Sequence, residues 1–265
     1  KKPELREAVS QTVGKHVVML SVTADPSSTN AQRGALVRQI RAAGLSGGQL
    51  LVTGRTAIDV DQADFIRQRM PGAVLFVLVT TYVVLFLLLG SVLLPLKAVV
   101  MNLVSLSASF GALVWIFQEG HLSWLFRFNA APIEAVLPVV LFCFVFGLSM
   151  DYEVFLLSRI QEEYVRTGDN QAAVAEGLER SGRLITSAAA IMVVVFAAFA
   201  AAEVVHVKAV GLGMAIAIAL DATIVRVLVV PATMRLFGSL NWWAPAPLRR
   251  LYRRLGLGEG RPDRR

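Results

Sequence analysis

The sequence predicts a mostly α-helical membrane protein: a polytopic bundle of five spanning helices behind a partial α/β subdomain, closed by a basic tail. Three observations predict it. Of 265 residues, 55% are hydrophobic and 17% charged, whereas soluble domains carry roughly 25% charged residues. From Ala73 onward, apolar stretches recur at about the 20 residues that cross about 30 Å of hydrocarbon. Before them the chain is polar and mixed, with strand-like and helix-like periodicities in turn.

Residues 1–70 read in order as β-α-β and a further helix. His16–Thr23 is β-branched and expected to be a strand. Asp25-Pro26-Ser27-Ser28-Thr29 carries turn and N-cap chemistry. Ala31–Ala43 places Ala35, Leu36, Ile40 and Ala43 on one helical side, and Gly44 ends it. Gln49–Thr53 is expected to be a second strand, and Ile58–Met70 a helix stopped by Pro71-Gly72. This order describes half of a small α/β subdomain. The chain opens at Lys1 without a methionine, inside what reads as a domain, and is expected to be a fragment or a processed product.

Residues 71–238 are expected to hold five spans, at about 73–94, 98–117, 135–157, 184–202 and 209–230. Asp169 is placed to cap a short surface helix, Gln171 to about Arg180, leading into span four. Residues 239–265 form the tail, with Arg249, Arg250, Arg253, Arg254, Arg261, Arg264 and Arg265 providing much of the +7 net charge. Beside a hydrophobic span such a tail reads as an orientation anchor rather than a nucleic-acid contact. Lys97, the arginines between spans three and four, and the tail then share the cytoplasmic side. Residues 1–70 and the Glu119–Glu134 loop lie outside, with Arg127 the exception to the charge rule. Trp124, Phe126 and Phe128 in that loop suit an interface, as does Trp242-Trp243 at the other end.

Ionisable groups inside spans are costly and mark proton or ion pathways. Asp151 lies in span three with Leu156 and Leu157 continuing the apolar run beyond it; Tyr152 beside it can donate or relay a hydrogen bond. Glu153 is nearer the span's end and expected to be solvated or an interfacial partner. Asp221 and Arg226 occupy span five. Their separation is five residues, about 140° around an α-helix, so each is expected to face a polar group on another span, with Arg226 snorkelling to the cytoplasm. Ser187–Ala190, Ala197–Ala202 and Gly211-Leu-Gly213 are read as close-packing surfaces. Ser105, Ser107 and Ser109 are read as helix-to-helix hydrogen bonders. Cys143 cannot form an intramolecular disulfide, being the one cysteine, and is expected to pack. The three histidines lack metal spacing, and no phosphate-binding loop is present.

Phe146-Gly-Leu-Ser-Met-Asp-Tyr-Glu-Val-Phe-Leu-Leu-Ser-Arg-Ile160 resembles a signature of the MMPL family, a branch of the RND transporter superfamily. Gly182–Ala189, Gly211–Arg226, Val230–Met234 and Asn241-Trp-Trp243 extend the resemblance. It implies twelve spans in two halves, of which this chain matches the end of the second porter-like extracytoplasmic domain and the last five spans. It implies a bacterial inner-membrane exporter of lipids or other hydrophobic molecules, driven by protons as the coupling ion and using no other cofactor. Its partners would be membrane lipids, the hydrophobic cargo and the missing N-terminal half. Asp151 and Tyr152 match the second-half proton-relay pair, and Asp221 an acidic position on the last span; Glu153 and Arg226 are supporting polar candidates. Two alternatives remain at this stage. One is a truncated, non-transporting scaffold. The other is an intramembrane aspartyl protease using Asp151 and Asp221, although Ser-Met-Asp-Tyr and Ala-Leu-Asp-Ala lack the Tyr-Asp and Gly-x-Gly-Asp contexts expected of one.

Overall fold

The computed structural model of the chain describes residues 13–14, 17–44, 48–128, 130 and 133–254. His16 and the tail arginines Arg261, Arg264 and Arg265 lie outside them. The chain divides into two compact units, Lys1–Phe65 and Ile66–Arg265.

In the first unit neither expected strand is seen among the described residues. No strand occurs among the described residues; Val13 and Val18 make a single antiparallel bridge. Val17, Val18, Met19, Leu20 and Val22 lie outside any strand and are exposed. A β-branched run becomes a strand only when a partner takes its backbone hydrogen bonds and covers one face, and among the described residues no second strand does so. Among its described residues the unit is helical with irregular connections, and the α/β reading is not shown. Helix α1, Asn30–Ala43, starts where the cap chemistry placed it: Thr29 and Gln32 form a reciprocal capping box. Two hydrogen bonds from Ser27 to the Asp25 carboxylate fix the preceding turn and hold that carboxyl below its ordinary value. Gly34 and Val37 are the buried face of α1, with Val60 against Gly34. Arg41 pairs with Asp61, and Arg38 with Asp64 at 3.2 Å.

Helix α2 runs unbroken from Arg55 to Leu89, through Pro71. The proline denies Arg67 its intrahelical partner, but both residues are exposed, so solvent or headgroups can satisfy the freed carbonyl. Flanking tertiary structure is not needed to tolerate it.

Five helical segments are long and apolar enough to cross a membrane: Arg55–Leu89, Leu93–Gln118, Val136–Thr167, Asn170–Ala201 and Val205–Trp242. The second comprises α3, Leu93–Leu113, and a π-helical turn, Val114–Gln118. The short α4, Ser123–Phe126, follows. The third span is α5, Val136–Thr167, and the fourth is α6, Asn170–Ala198. The fifth is composite: α7, Val205–Leu220, a π-helical stretch Asp221–Val229, then α8, Val230–Phe237, and a 3-10 turn, Gly238–Trp242. A final helix, α9, covers Ala246–Arg254. No separate surface helix precedes span four. Asp169 caps one continuous helix by accepting from the backbone of Gln171 and Ala172. At 1.5 Å per residue the 32 residues of α5 reach about 48 Å, so its end must project beyond the hydrocarbon. Gly168, at φ 70°, makes the reversal into α6.

Helix α7 is central to the bundle and packs on α3, α5 and α6. Its glycines permit this: a Cβ at Gly213 would lie 2.7 Å from Leu113, and one at Gly211 would collide with Phe199 and the Phe196 carbonyl. The alanines and serine of span four do less than expected, since Ser187, Ala190, Ala197 and Ala198 are exposed. Cys143 is exposed rather than packed. Two of the three serines of span two bond within their own helix, Ser107 to Leu103 O and Ser109 to Ser105 O, and the buried Ser105 hydroxyl bonds to no protein group.

The Asn241-Trp242-Trp243 segment is more than an interfacial aromatic pair. Trp242 is buried, stacked at 4.2 Å on Tyr164 of span three, and donates to Asn170 Oδ1 of span four. Ser91, in the turn between spans one and two, donates to Asn241 O. Trp243 alone stays exposed. Of the loop aromatics, Trp124 is exposed, while Phe128 is buried against Phe117 at 4.7 Å.

Candidate functional site: buried charges in the membrane bundle

The charged groups gather where α5, α6 and the fifth span meet. Asp221 and Arg226 are both buried, at 7% and 5% exposure. Arg226 Nη2 donates to Asp221 Oδ2 at 2.6 Å and to the Ser149 carbonyl of span three at 3.0 Å. The expectation that these two residues could not pair directly is corrected, and the cause is local. Asp221–Val229 is π-helical, and its wider i→i+5 turn brings residues five apart onto one face. Arg226 therefore faces inward and does not snorkel. The expected polar partner on a neighbouring span exists, but it is a backbone carbonyl.

Tyr152 is half-buried; its ring centroid lies 5.4 Å from the Arg226 guanidinium carbon, and its hydroxyl points at Met192 Sδ of span four, 3.9 Å away. Ser149, Tyr152, Asp221 and Arg226 line one small cavity with Ile185 and Met192. Asp151 is not in it. Successive residues on a helix turn by about 100°, and Asp151 emerges exposed on the outer surface of the five-span bundle.

Glu153 is corrected in the opposite direction. It is buried, at 6% exposure, on the face of α5 formed by Phe142, Phe146, Ser149, Leu156 and Ile160. Arg226, Asp221 and Lys97 are the charges acting on it. That face was readable: the i, i+3, i+4 spacing from Phe142 to Ile160 carries Glu153 inward with its apolar neighbours. Asn102, at 1% exposure, was missed altogether; it sits in line with Ala98, Ser105 and Ser109 on α3 and donates weakly to Phe146 O at 3.4 Å. Among the described residues, no group of histidine, cysteine and acidic side chains could hold a metal ion.

A helical membrane bundle with a charge pair buried at mid-span and a half-buried tyrosine beside it has the make-up of a transporter's membrane domain. The comparisons give the family. The model of the MMPL family matches residues 2–262. A putative membrane protein of Streptomyces coelicolor is 46% identical over 212 residues, covering 80% of this chain and 30% of that protein. The trehalose monomycolate exporter MmpL3 of Mycobacterium tuberculosis is 43% identical over 213 residues, 80% of this chain and 23% of the exporter. The heme uptake protein MmpL11 of the same organism is 43% identical over 197 residues, 74% of this chain and 20% of that protein. This chain belongs to the MMPL family of the RND superfamily, whose members are membrane transporters and not enzymes. It spans between 20% and 30% of the length of these relatives.

Proposed function

We propose that this chain is the C-terminal half of the membrane domain of a proton-motive-force-driven exporter, with Asp151, Tyr152 and Asp221 as its proton-relay groups and Glu153 and Arg226 in support. The observation that carries this reading is the contrast between Asp151 and Asp221. Asp221 is neutralised inside the bundle by Arg226, whereas Asp151 is a carboxylate on the outer face of an otherwise apolar assembly. A carboxylate left against lipid costs about 2.5–3.5 kcal/mol. A polar surface from the missing half, brought against span three, would offset that cost and give Asp151 a partner. Tyr152, immediately beside it and reaching the Arg226 cavity, links that surface to the interior.

Protonation of Asp151 then changes the charge at the seam between halves and shifts spans three and five against their counterparts. One charge crossing 100 mV supplies about 2.3 kcal/mol. The arrangement is residues 1–70 as the extracytoplasmic part, 71–238 as the membrane domain and 239–265 as a cytoplasmic tail in a bacterial inner membrane. The cargo is a lipid or another hydrophobic molecule, a reading supported by the similarity to an exporter of trehalose monomycolate. Asp151→Asn in the complete transporter should abolish export while the protein remains folded. Undiminished export by that variant rules the reading out.

A further inference from the structure

We propose that Glu153 is a further proton-carrying carboxylate, placed between the Asp221–Arg226 site and the end of the bundle that carries Lys97 and Asn241, with Lys97 as its positioning residue; this role presupposes the proton-coupled reading above. Glu153 stands one helical turn from Ser149 on the buried face of α5. Two small cavities meet that face. Ser149, Tyr152, Asp221 and Arg226 line the first. Glu153, Lys97, Met101 and Thr233 line the second, between α3, α5 and α8. Lys97 lines the same cavity as Glu153, and Arg226 and Asp221 of the fifth span also act on the carboxylate by charge. Lys97 donates in turn to Asn241 Oδ1 at 2.9 Å. Asn241 is fully buried and is itself fixed by bonds from its amide to the Met234 and Gly238 carbonyls. Ionisable and polar side chains thus succeed one another from the mid-span site to the Asn241 end.

A second observation separates this from a static charge network. Among the described residues, four buried side-chain polar atoms have no hydrogen-bond partner in the protein: Asn102 Oδ1, Ser105 Oγ, Ser149 Oγ and Arg226 Nη1. They belong to the facing sides of α3, α5 and the fifth span, the elements that surround Glu153. A fixed pair of ion pairs gains nothing from such atoms, because each one left unsatisfied is unfavourable. A water-bridged proton path uses them, since buried water bonds to two to four such groups.

In this sequence of steps a proton from the Asp151–Tyr152 site passes to the Glu153 carboxylate and gives the neutral acid. The acid releases the proton to water at the Lys97 end, and the carboxylate is restored. Lys97 keeps its own protons throughout and holds the carboxylate in place by charge.

The test uses the complete transporter in liposomes under an imposed pH gradient, with proton entry read by a trapped fluorescent pH dye. Glu153→Gln should lower proton flux by about tenfold or more, and Glu153→Asp, which keeps the carboxyl, should recover most of it. A purely structural role predicts no such rescue, because Asp is the larger change of shape. Asp151→Asn is the control. Flux lost in Asp151→Asn but intact in Glu153→Gln overturns the role of Glu153 and leaves the proton-coupled reading standing; flux intact in Asp151→Asn overturns that reading itself. If Glu153→Gln does not fold, Lys97→Gln tests the same path with the carboxylate kept: flux should fall about tenfold and return in Lys97→Arg. Unchanged flux in Lys97→Gln overturns the proposal.

Discussion

Asp221 and Arg226 show how one residue's neighbourhood sets its energetic role. Removing either partner leaves a buried charge uncompensated, which costs about 3–5 kcal/mol. Asp221→Asn should therefore destabilise the purified transporter by roughly that amount, read as a large loss in thermal stability. The double variant Asp221→Asn/Arg226→Gln should recover a substantial part, because no lone charge remains. A double variant no more stable than the single one contradicts the pair's assigned role. Much of the residue-level site was legible. Asp151, Tyr152, Asp221 and Arg226 announce themselves as polar groups in apolar runs. Their pairing was not legible, because five-residue spacing was judged on α-helical geometry and nothing in Asp221–Val229 advertises a π-helix. Glu153 was misjudged because nearness to a span's end was weighed above its place on the helical face.

Elements were read best where local chemistry decides them. Thr29 and Asp169 cap α1 and α6 as their side chains dictate; Asp169→Ala should cost about 1 kcal/mol, seen as earlier thermal unfolding. They were read worst where a partner decides them. Val17–Val22 has strand composition but no neighbouring strand among the described residues, and Pro71 stops nothing because α2 tolerates a missing bond on an exposed side. Glycine placement in spans four and five is likewise a matter of partners. Gly211→Val should cost about 1–3 kcal/mol by overpacking against Phe199. Gly147, in span three, has open space around it, and Gly147→Ala should gain up to about 1 kcal/mol from helix propensity. Equal effects at the two positions would contradict the packing assigned to α7.

On the scale of the whole molecule, five spans were readable because length and hydropathy suffice to find them. How the helices are tied together was not. The Trp242 clasp to Tyr164 and Asn170, and the Ser91 and Lys97 bonds to Asn241, are tertiary facts that link four spans at one end. The chain belongs to the MMPL family, and under the proposed function the exposed carboxylate of span three is where a second half would be felt. Simultaneous measurement of proton uptake and cargo export by the complete transporter in sealed vesicles tests this most directly, comparing the natural protein with Asp151→Asn. Both activities should vanish together in the variant while its helical content and melting behaviour stay as before. Export that continues at the natural rate, with protons still entering alongside it, would contradict the placement of energy coupling at Asp151.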